Sequence, residues 1–305
     1  MSTRNIPYWL VALLLAVMFP FAAGAEDHST PMELRHNLPF VQVMVNGKGP
    51  FTFSIDTGTG GEALVTPDLM KQLNLPVTGE TEVGDPSGLN PQKMSMVKIA
   101  SLKVAGVEFH DVRAVQFQPS RREGPCDGIL GFVLFRAYLL TLDYPQQQMR
   151  LASGKLTPDG GNTVIAFTMP RDVPVIQLTV GTRQVDAHLD SRGAGLSFPE
   201  KFAQDLKFVS DPVVIGRGRT VSNEFEIKGG QLAGDVRIGG YTFSHPFVET
   251  NPVLPFANFG AAPLQYFAVT FDQSNKLIAL ESKDKTLTLA APRRPVPTPT
   301  PAVTH

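Results

Sequence analysis

Short runs of alternating apolar and polar residues recur along the chain. Residues 39–45 read Pro-Phe-Val-Gln-Val-Met-Val, and residues 174–180 repeat the alternation as Pro-Val-Ile-Gln-Leu-Thr-Val. Alternation with a period of two, in runs rich in Val, Ile, Phe and Thr, is typical of half-buried β-strands. The sequence Gly-Lys-Gly-Pro at 47–50 predicts a hairpin turn between the first two strands. The pattern therefore predicts a mainly β protein.

Helix signals are few and short. Thr66 stands directly before a proline, which predicts an N-cap and a helix over 67–73. The sequence Phe-Pro-Glu at 198–200 predicts the start of an equivalent helix that runs to about Leu206. Residues 132–138 predict one or two helical turns.

The chain also resembles itself. The matched segments are 51–56 with 185–190, 102–106 with 236–240, and 140–143 with 269–272. The first two pairs lie 134 residues apart and the third 129 residues apart. A near-constant offset indicates one unit used twice, over 33–155 and 162–285, and two copies are too few for a solenoid. We expect two similar six-stranded-type β-barrel lobes related by a pseudo-two-fold axis, with a cleft between them.

The two ends of the chain have a different composition. Residues 1–25 carry one charge, Arg4, followed by an apolar run and Ala-Gly-Ala at 23–25. This predicts a secretory signal peptide cleaved after Ala25, with an uncleaved anchor as the alternative. We therefore expect an exported, periplasmic protein with no stable membrane span after cleavage. Residues 291–305 are rich in proline and predict an extended, solvated tail.

Charge and cysteine content narrow the function classes. The chain has 27 Lys and Arg against 28 Asp and Glu, a net charge of −1. It therefore lacks the strongly basic surface that nucleic acid requires. Its one cysteine, Cys126, cannot form an internal disulfide, so an exported chain of this size depends on its core. That dependence suits a bacterial periplasm, and the composition is compatible with a monomer.

Each repeat places an aspartate at the end of an apolar strand. Asp56 is followed by Thr57-Gly58, and Asp190 is followed by Ser-Arg-Gly at 191–193. If the repeats pack about a pseudo-two-fold axis, Asp56 and Asp190 meet. Two carboxyl groups in contact share one proton and so supply a base and an acid at once. Such a pair can activate water against a peptide carbonyl with no metal, cofactor or covalent intermediate.

These motifs resemble a known enzyme family. Asp56-Thr57-Gly58 on a hydrophobic strand resembles the active-site motif of pepsin-like and retropepsin-like aspartic peptidases. Cys-Asp-Gly-Ile-Leu-Gly over 126–131 and Thr-Leu-Asp-Tyr over 141–144 are similar to segments of its exported bacterial members. The resemblance implies an acid-protease fold, a peptide or protein substrate, and Asp56 with Asp190 as the catalytic pair.

The resemblance implies supporting roles as well. Thr57 and Ser191 would hydrogen-bond across the lobe junction, in turns that also contain Gly58 and Gly193. The segment packed beneath the catalytic turn would be Ile129, Leu130 and Gly131. The flap over the substrate would be Gly84, Asp85, Pro86, Ser87 and Gly88.

The second repeat departs from the motif. Arg192 stands where the first copy has Gly58, unless one residue is inserted and Gly193 takes that place. An arginine beside a paired carboxylate is expected to hold it ionised. The second hydrophobic pair is Asn258-Phe259, which is half polar. Three hypotheses follow: an active endopeptidase, an inactive binding protein of the cell envelope, or a lobe that becomes active only as a dimer.

Other candidate sites are weaker. His188 lies two residues before Asp190 and is interpreted as a packed strand residue. His110 and His245 have no partners at metal-ligand spacing, so no zinc site is predicted. The chain has no Gly-x-Ser-x-Gly motif, and Cys126 is interpreted as a small buried filler.

Overall fold

A computed structural model describes residues 27–84, 91–119, 124–219 and 224–292. The predicted signal peptide, the segment Asp85–Gly88 of the predicted flap, and all but two residues of the predicted tail lie outside these ranges. None of the helices within them is long and apolar enough to cross a membrane.

Strands make up most of the described chain, so the mainly β prediction is confirmed. The strands up to residue 152 are β1 (Asp27–Pro31), β2 (Glu33–Arg35), β3 (Leu38–Val45), β4 (Lys48–Asp56), β5 (Ala63–Val65), β6 (Val77–Val83), β7 (Gln92–Val104), β8 (Val107–Gln116), β9 (Gly128–Gly131), β10 (Leu139–Asp143) and β11 (Gln148–Ala152). Those that follow are β12 (Val164–Ala166), β13 (Val175–Val180), β14 (Arg183–Leu189), β15 (Leu196–Pro199), β16 (Val213–Arg219), β17 (Glu224–Gln231), β18 (Val236–Ile238), β19 (Tyr241–Phe243), β20 (Phe247–Asn251), β21 (Ala257–Phe259), β22 (Ala268–Asp272), β23 (Leu277–Glu281) and β24 (Thr286–Leu287).

The described strands form three sheets. An eight-stranded sheet has the order β2-β3-β4-β9-β5-β8-β7-β6, and a ten-stranded sheet has the order β16-β17-β20-β15-β21-β14-β13-β18-β19-β24. Each contains one parallel pair that matters for the site: β4 with β9, and β14 with β21. In both sheets, therefore, a strand that ends at or directly before an aspartate lies beside a short buried strand.

The third sheet contains strands from both parts of the chain. Its order is β1-β11-β10-β22-β23-β12, and β10 pairs antiparallel with β22. The hydroxyls of Thr141 and Thr270 hydrogen-bond at 2.8 Å across that pair. The strand β1 begins at Asp27, before the boundary of 33 that the repeat pattern suggested, because it completes this sheet against β11.

One cluster of buried side chains runs through all three sheets. Phe132 and Phe271, from different parts of the chain, pack edge to face with their ring centres 5.1 Å apart. Each such aromatic contributes about 2 kcal/mol by leaving water. This core holds the ends of β4 and β14 in fixed positions.

The first helix follows the sequence prediction. Helix α1 spans Pro67–Leu73, and the Thr66 hydroxyl accepts a hydrogen bond from the Leu69 N–H at 3.2 Å, so the predicted cap is confirmed. The predicted equivalent helix is shorter than expected: α2 spans Glu200–Ala203 and does not reach Leu206. Its N-cap is Pro199, whose side chain offers no acceptor to the first turn.

Two further predicted turns are shifted or shortened. The first hairpin turns at Asn46-Gly47, and residues 48–50 already belong to β4, so the prediction of a turn over 47–50 was wrong by about two residues. Both turn residues have positive φ, 50° and 72°, which is the conformation that Asn-Gly favours in tight hairpins. Of residues 132–138, only Phe132–Phe135 form a 3-10 turn.

Candidate active site

The two aspartates occupy matching places in the eight- and ten-stranded sheets. Asp56 ends β4, where it lies opposite Gly131 of β9. Asp190 follows Leu189, which lies opposite Phe259 of β21. A Cβ placed on Gly58 would lie only 2.8 Å from the Cγ of Asp190, so the backbone of the first turn packs directly against the second carboxyl group.

Four hydrogen bonds join the two turns through Thr57 and Ser191. The Thr57 N–H donates to Ser191 Oγ at 3.0 Å, and the Ser191 N–H donates to Thr57 Oγ1 at 2.9 Å. The Thr57 hydroxyl donates to the Leu189 carbonyl at 2.6 Å, and the Ser191 hydroxyl donates to the Ile55 carbonyl at 2.8 Å. Both side chains are fully buried, so every donor and acceptor in this set is satisfied within the protein.

Asp56 accepts hydrogen bonds from its own turn. The Gly58 N–H donates to Oδ1 at 2.8 Å, and the Thr59 hydroxyl donates to Oδ2 at 2.8 Å. The Arg192 side chain from the other turn approaches the same carboxyl, with Nε 3.7 Å from Oδ2. The Arg192 and Asp56 side chains are only 15% and 14% exposed, so water screens this ion pair weakly.

Asp190 has a different set of donors. The N–H groups of Arg192 and Gly193 donate to Oδ1 at 2.9 and 2.8 Å, and the side chain of Asn258 also hydrogen-bonds to the carboxyl. Arg192 and Gly58 each donate an N–H to the aspartate two residues earlier, so Arg192 occupies the place of Gly58. Gly193 accordingly occupies the place of Thr59.

Burial dominates the protonation of the pair. Desolvation, followed by the charge of Asp190, raises the pKa of Asp56 from 3.8 to about 6, against the opposing effects of Arg192, Thr59 and Gly58. Desolvation also raises the pKa of Asp190, against its N–H donors, the Arg192 charge and Asn258. Arg192 lowers the pKa of both carboxyls, in the direction that the sequence predicted, but desolvation outweighs the guanidinium and the net shift is upward.

The segment beneath the turns is tightly packed. Ile129 and Leu130 are buried in β9, next to Gly131. A Cβ on Gly131 would overlap the carbonyl oxygen of Gly61, so only glycine fits where β9 passes under the loop. A Cβ on Gly260, which follows β21, would likewise meet the carbonyl oxygen of Gly193.

The strands that lead to the predicted flap form a hairpin. Strands β6 and β7 pair antiparallel, with Val83 opposite Gln92. Gly84 follows directly and is exposed, and the remaining flap residues lie outside the described ranges. The second half has a hairpin of similar form, in which Arg219 of β16 lies opposite Glu224 of β17.

Residues to which the sequence assigned no role in the site also interact with the two carboxyls. Thr59 and Asn258 are hydrogen-bond donors to the two carboxyls. The buried Tyr144 hydroxyl has no hydrogen-bond partner among the described residues, and burial together with the charges of Asp190 and Asp56 raises its pKa. A polar residue in a buried strand, as at Asn258, was the one signal available in the sequence.

The remaining candidates are structural. His188 is half-buried against the ring of Phe256, with ring centres 5.3 Å apart, and burial lowers its pKa. Cys126 is buried, and its Sγ donates to the Gly128 carbonyl at 3.1 Å. In the described ranges no three side chains of His, Cys, Asp or Glu are grouped so as to hold a metal ion.

One comparison with known proteins bears on this geometry. Residues 41–134 match the model of a family described as aspartyl protease. The match includes Asp56-Thr57-Gly58 and all of β9, and it ends before Asp190. No curated protein matches the chain. The family match thus supports an aspartic-type peptidase, a hydrolase acting on peptides, on the strength of the first Asp turn and its surroundings.

Proposed function

We propose that the chain is an aspartic-type endopeptidase whose two lobes, related by a pseudo-two-fold axis, each contribute one catalytic aspartate. The observation that carries the proposal is the close packing of the Asp56 turn against the Asp190 carboxyl, where a Cβ on Gly58 would lie 2.8 Å from Asp190 Cγ. The four hydrogen bonds of Thr57 and Ser191 support it, because they fix one turn against the other. The aspartyl protease match over 41–134 supports it independently.

The chemistry follows from one proton shared by two carboxyls. The ionised carboxyl takes a proton from a water molecule, and the water oxygen attacks the peptide carbonyl carbon. The protonated carboxyl gives its proton to the carbonyl oxygen, which produces a neutral tetrahedral intermediate. The carboxyl that took the proton from water then donates it to the amide nitrogen, while the other carboxylate takes a proton from a hydroxyl of the intermediate. The C–N bond breaks, leaving an acid and an amine. The raised pKa of Asp56, about 6, favours retention of the shared proton in mildly acidic solution.

The substrate would be an extended peptide. The β6–β7 hairpin leads into residues 84–88, and we propose that this segment covers the peptide and pairs with its backbone. We further propose that residues 1–25 direct export to the periplasm and are then removed.

One observation favours a second function, a peptide-binding protein that does not cleave. Arg192 Nε lies 3.7 Å from Asp56 Oδ2. A guanidinium at this distance favours the ionised form of Asp56 and opposes a shared proton. The same cleft would then bind peptide without hydrolysing it.

The mature chain, residues 26–305, with an unfolded protein substrate between pH 3 and 7, separates these functions. We expect cleavage by the parent and its loss in both Asp56→Asn and Asp190→Asn. Asp68→Asn, which changes an exposed carboxyl in α1, serves as the matched control and should retain activity.

Other outcomes are equally informative. Loss of activity in Asp56→Asn alone, with a rate that rises with the square of protein concentration, would support the dimer hypothesis. A parent that cuts nothing but binds a pepstatin-type inhibitor would support the peptide-binding function. A parent that neither cuts nor binds would contradict both functions of the cleft.

A further inference from the structure

The two turns donate to their carboxylates in different ways. Asp56 accepts from the Gly58 N–H and from the hydroxyl of Thr59. Asp190 accepts from two backbone N–H groups and from the side chain of Asn258. The second turn has no hydroxyl at the position of Thr59, because glycine stands there.

The turn geometry establishes this equivalence. The Thr59 N–H donates to the Asp56 carbonyl at 3.3 Å, and the Gly193 N–H donates to the Asp190 carbonyl at 3.2 Å. The two residues therefore close turns of the same form. The difference between them lies in the side chain alone.

Asn258 in the ten-stranded sheet and Ile129 in the eight-stranded sheet occupy equivalent positions by strand register. Asn258 lies opposite His188, two residues before Asp190, and Ile129 lies opposite Ser54, two residues before Asp56. Both are buried, at 7% and 4% exposure. An amide at a buried strand position is costly unless it is hydrogen-bonded, and Asp190 provides the acceptor.

Gly193 leaves the space that Asn258 fills. A Cβ at residue 193 would overlap the amide nitrogen of Asn258 and would lie 2.8 Å from Oδ2 of Asp190. Gly193 does not adopt a positive φ, so space rather than backbone conformation excludes a side chain here. A threonine at 193 and an asparagine at 258 are therefore mutually exclusive.

We propose that Asn258 is a positioning residue for Asp190: its amide replaces the turn hydroxyl that Thr59 supplies to Asp56, and Gly193 is the residue that admits it. The catalytic meaning of this role rests on the proposed peptidase function, whereas the hydrogen-bonding role does not. An amide nitrogen can only donate, so Asn258 holds the orientation of Asp190 and favours its ionised form.

The test transplants the first turn's residue pair into the second. The variants are Asn258→Ile, Gly193→Thr and the double variant with both changes, which together reproduce the Thr59–Ile129 pair. The measurement is the 13C carboxyl titration of Asp190 in aspartate-labelled mature protein, with the signal assigned by Asp190→Asn. Ile129→Val is the matched control, since it alters the equivalent position without touching Asp190.

Asn258→Ile should raise the pKa of Asp190 by about one unit, a tenfold change in proton affinity, because a donor to the charged form is lost. The double variant should return the pKa to within a few tenths of the parent, because the new hydroxyl donates in place of the amide. Gly193→Thr alone should lower the thermal midpoint, since its Cβ displaces Asn258. If Asn258→Ile does not fold, Asn258→Ala gives the same comparison without a larger side chain.

An Asp190 titration unchanged in Asn258→Ile or Asn258→Ala overturns the proposal. A double variant that titrates like Asn258→Ile overturns the exchange of amide for hydroxyl. If the titrations respond as expected while the parent cuts no peptide, the peptidase function fails and the positioning role stands. If the parent cuts peptide, the pH profile of kcat/KM should move with the Asp190 pKa in the same variants.

Discussion

Replacing Arg192 tests how the second turn controls the first carboxyl. Arg192 Nε lies 3.7 Å from Asp56 Oδ2, and both side chains are largely buried. In Arg192→Met the side chain keeps most of its length and loses its charge. In Arg192→Lys the positive charge remains, but a small ammonium group replaces the broad, planar guanidinium. Comparing the two separates the effect of charge from the effect of bulk.

The magnitude follows from the distance. Two unit charges at about 4 Å interact by about 4 kcal/mol at an effective dielectric constant of about 20. An arginine beside an aspartate typically lowers its pKa by about 1 to 3 units. Because Arg192 Nε and Asp56 Oδ2 lie 3.7 Å apart, beyond hydrogen-bond distance, we take the lower end of this range. Arg192→Met should therefore raise the pKa of Asp56 from about 6 by about one further unit.

The assay is the pH dependence of kcat/KM on a fluorogenic peptide, together with the carboxyl titration of Asp56. The alkaline limb should move upward by about one pH unit in Arg192→Met. It should stay near its parent position in Arg192→Lys. In a parent that binds without cleaving, the titration of Asp56 provides the same comparison.

The reasoning is refuted if Arg192→Met has the same alkaline limb of the pH profile and the same Asp56 titration as the parent. A downward shift would also refute it, because removal of a positive charge cannot stabilise the ionised carboxyl. Equal shifts in the Met and Lys variants would assign the effect to side-chain packing instead of charge.

Three stability predictions accompany this one. Asp56 binds its proton more tightly in the folded chain than in the unfolded chain, so its contribution to the free energy of unfolding falls by about 3 kcal/mol as pH rises from about 4 to above 6. Asp56→Asn should remove that fall, as measured by urea unfolding across this pH range. If the free energy of unfolding depends on pH equally in parent and variant, the raised pKa is contradicted. Thr57→Val removes the hydroxyl that hydrogen-bonds to Leu189 and Ser191, and should lower the free energy of unfolding by about 1 to 3 kcal/mol. A loss below about 0.5 kcal/mol would mean that the hydrogen bonds between the two turns contribute little to stability. Thr66→Ala should cost about 1 kcal/mol by thermal unfolding, with Thr66→Ser near the parent, and an equal loss in both would point away from capping.

Features encoded by a few neighbouring residues could be predicted from the sequence. The Thr66 cap lies next to its helix, and period-two alternation indicated β3 and β13. The segments that end at Asp56 and Asp190 were matched by their similarity to each other. The length of α2 was overestimated because its start, Pro199, lacks a capping side chain, which the apolar pattern does not reveal. Local signals therefore located the elements better than their ends.

The roles that depend on strand pairing could not be predicted. Asn258 looked like a defect in a hydrophobic pair, and its bond to Asp190 arises only because β21 lies beside β14. The sequence also suggested a direction for the effect of Arg192 but not the depth of burial that outweighs it. Desolvation is a property of the packed chain, and no spacing of residues along the sequence reports it.

The pairing of β10 with β22 has a consequence for how the chain could be divided. In this sheet of the described chain, one edge of β10 is hydrogen-bonded to β22, and the facing edge of β22 is hydrogen-bonded to β10. A protein cut between residues 152 and 164 would leave an uncovered row of backbone donors and acceptors on both fragments. Such a fragment would satisfy that row by joining a second molecule of its own kind, so each part of a divided chain is expected to self-associate.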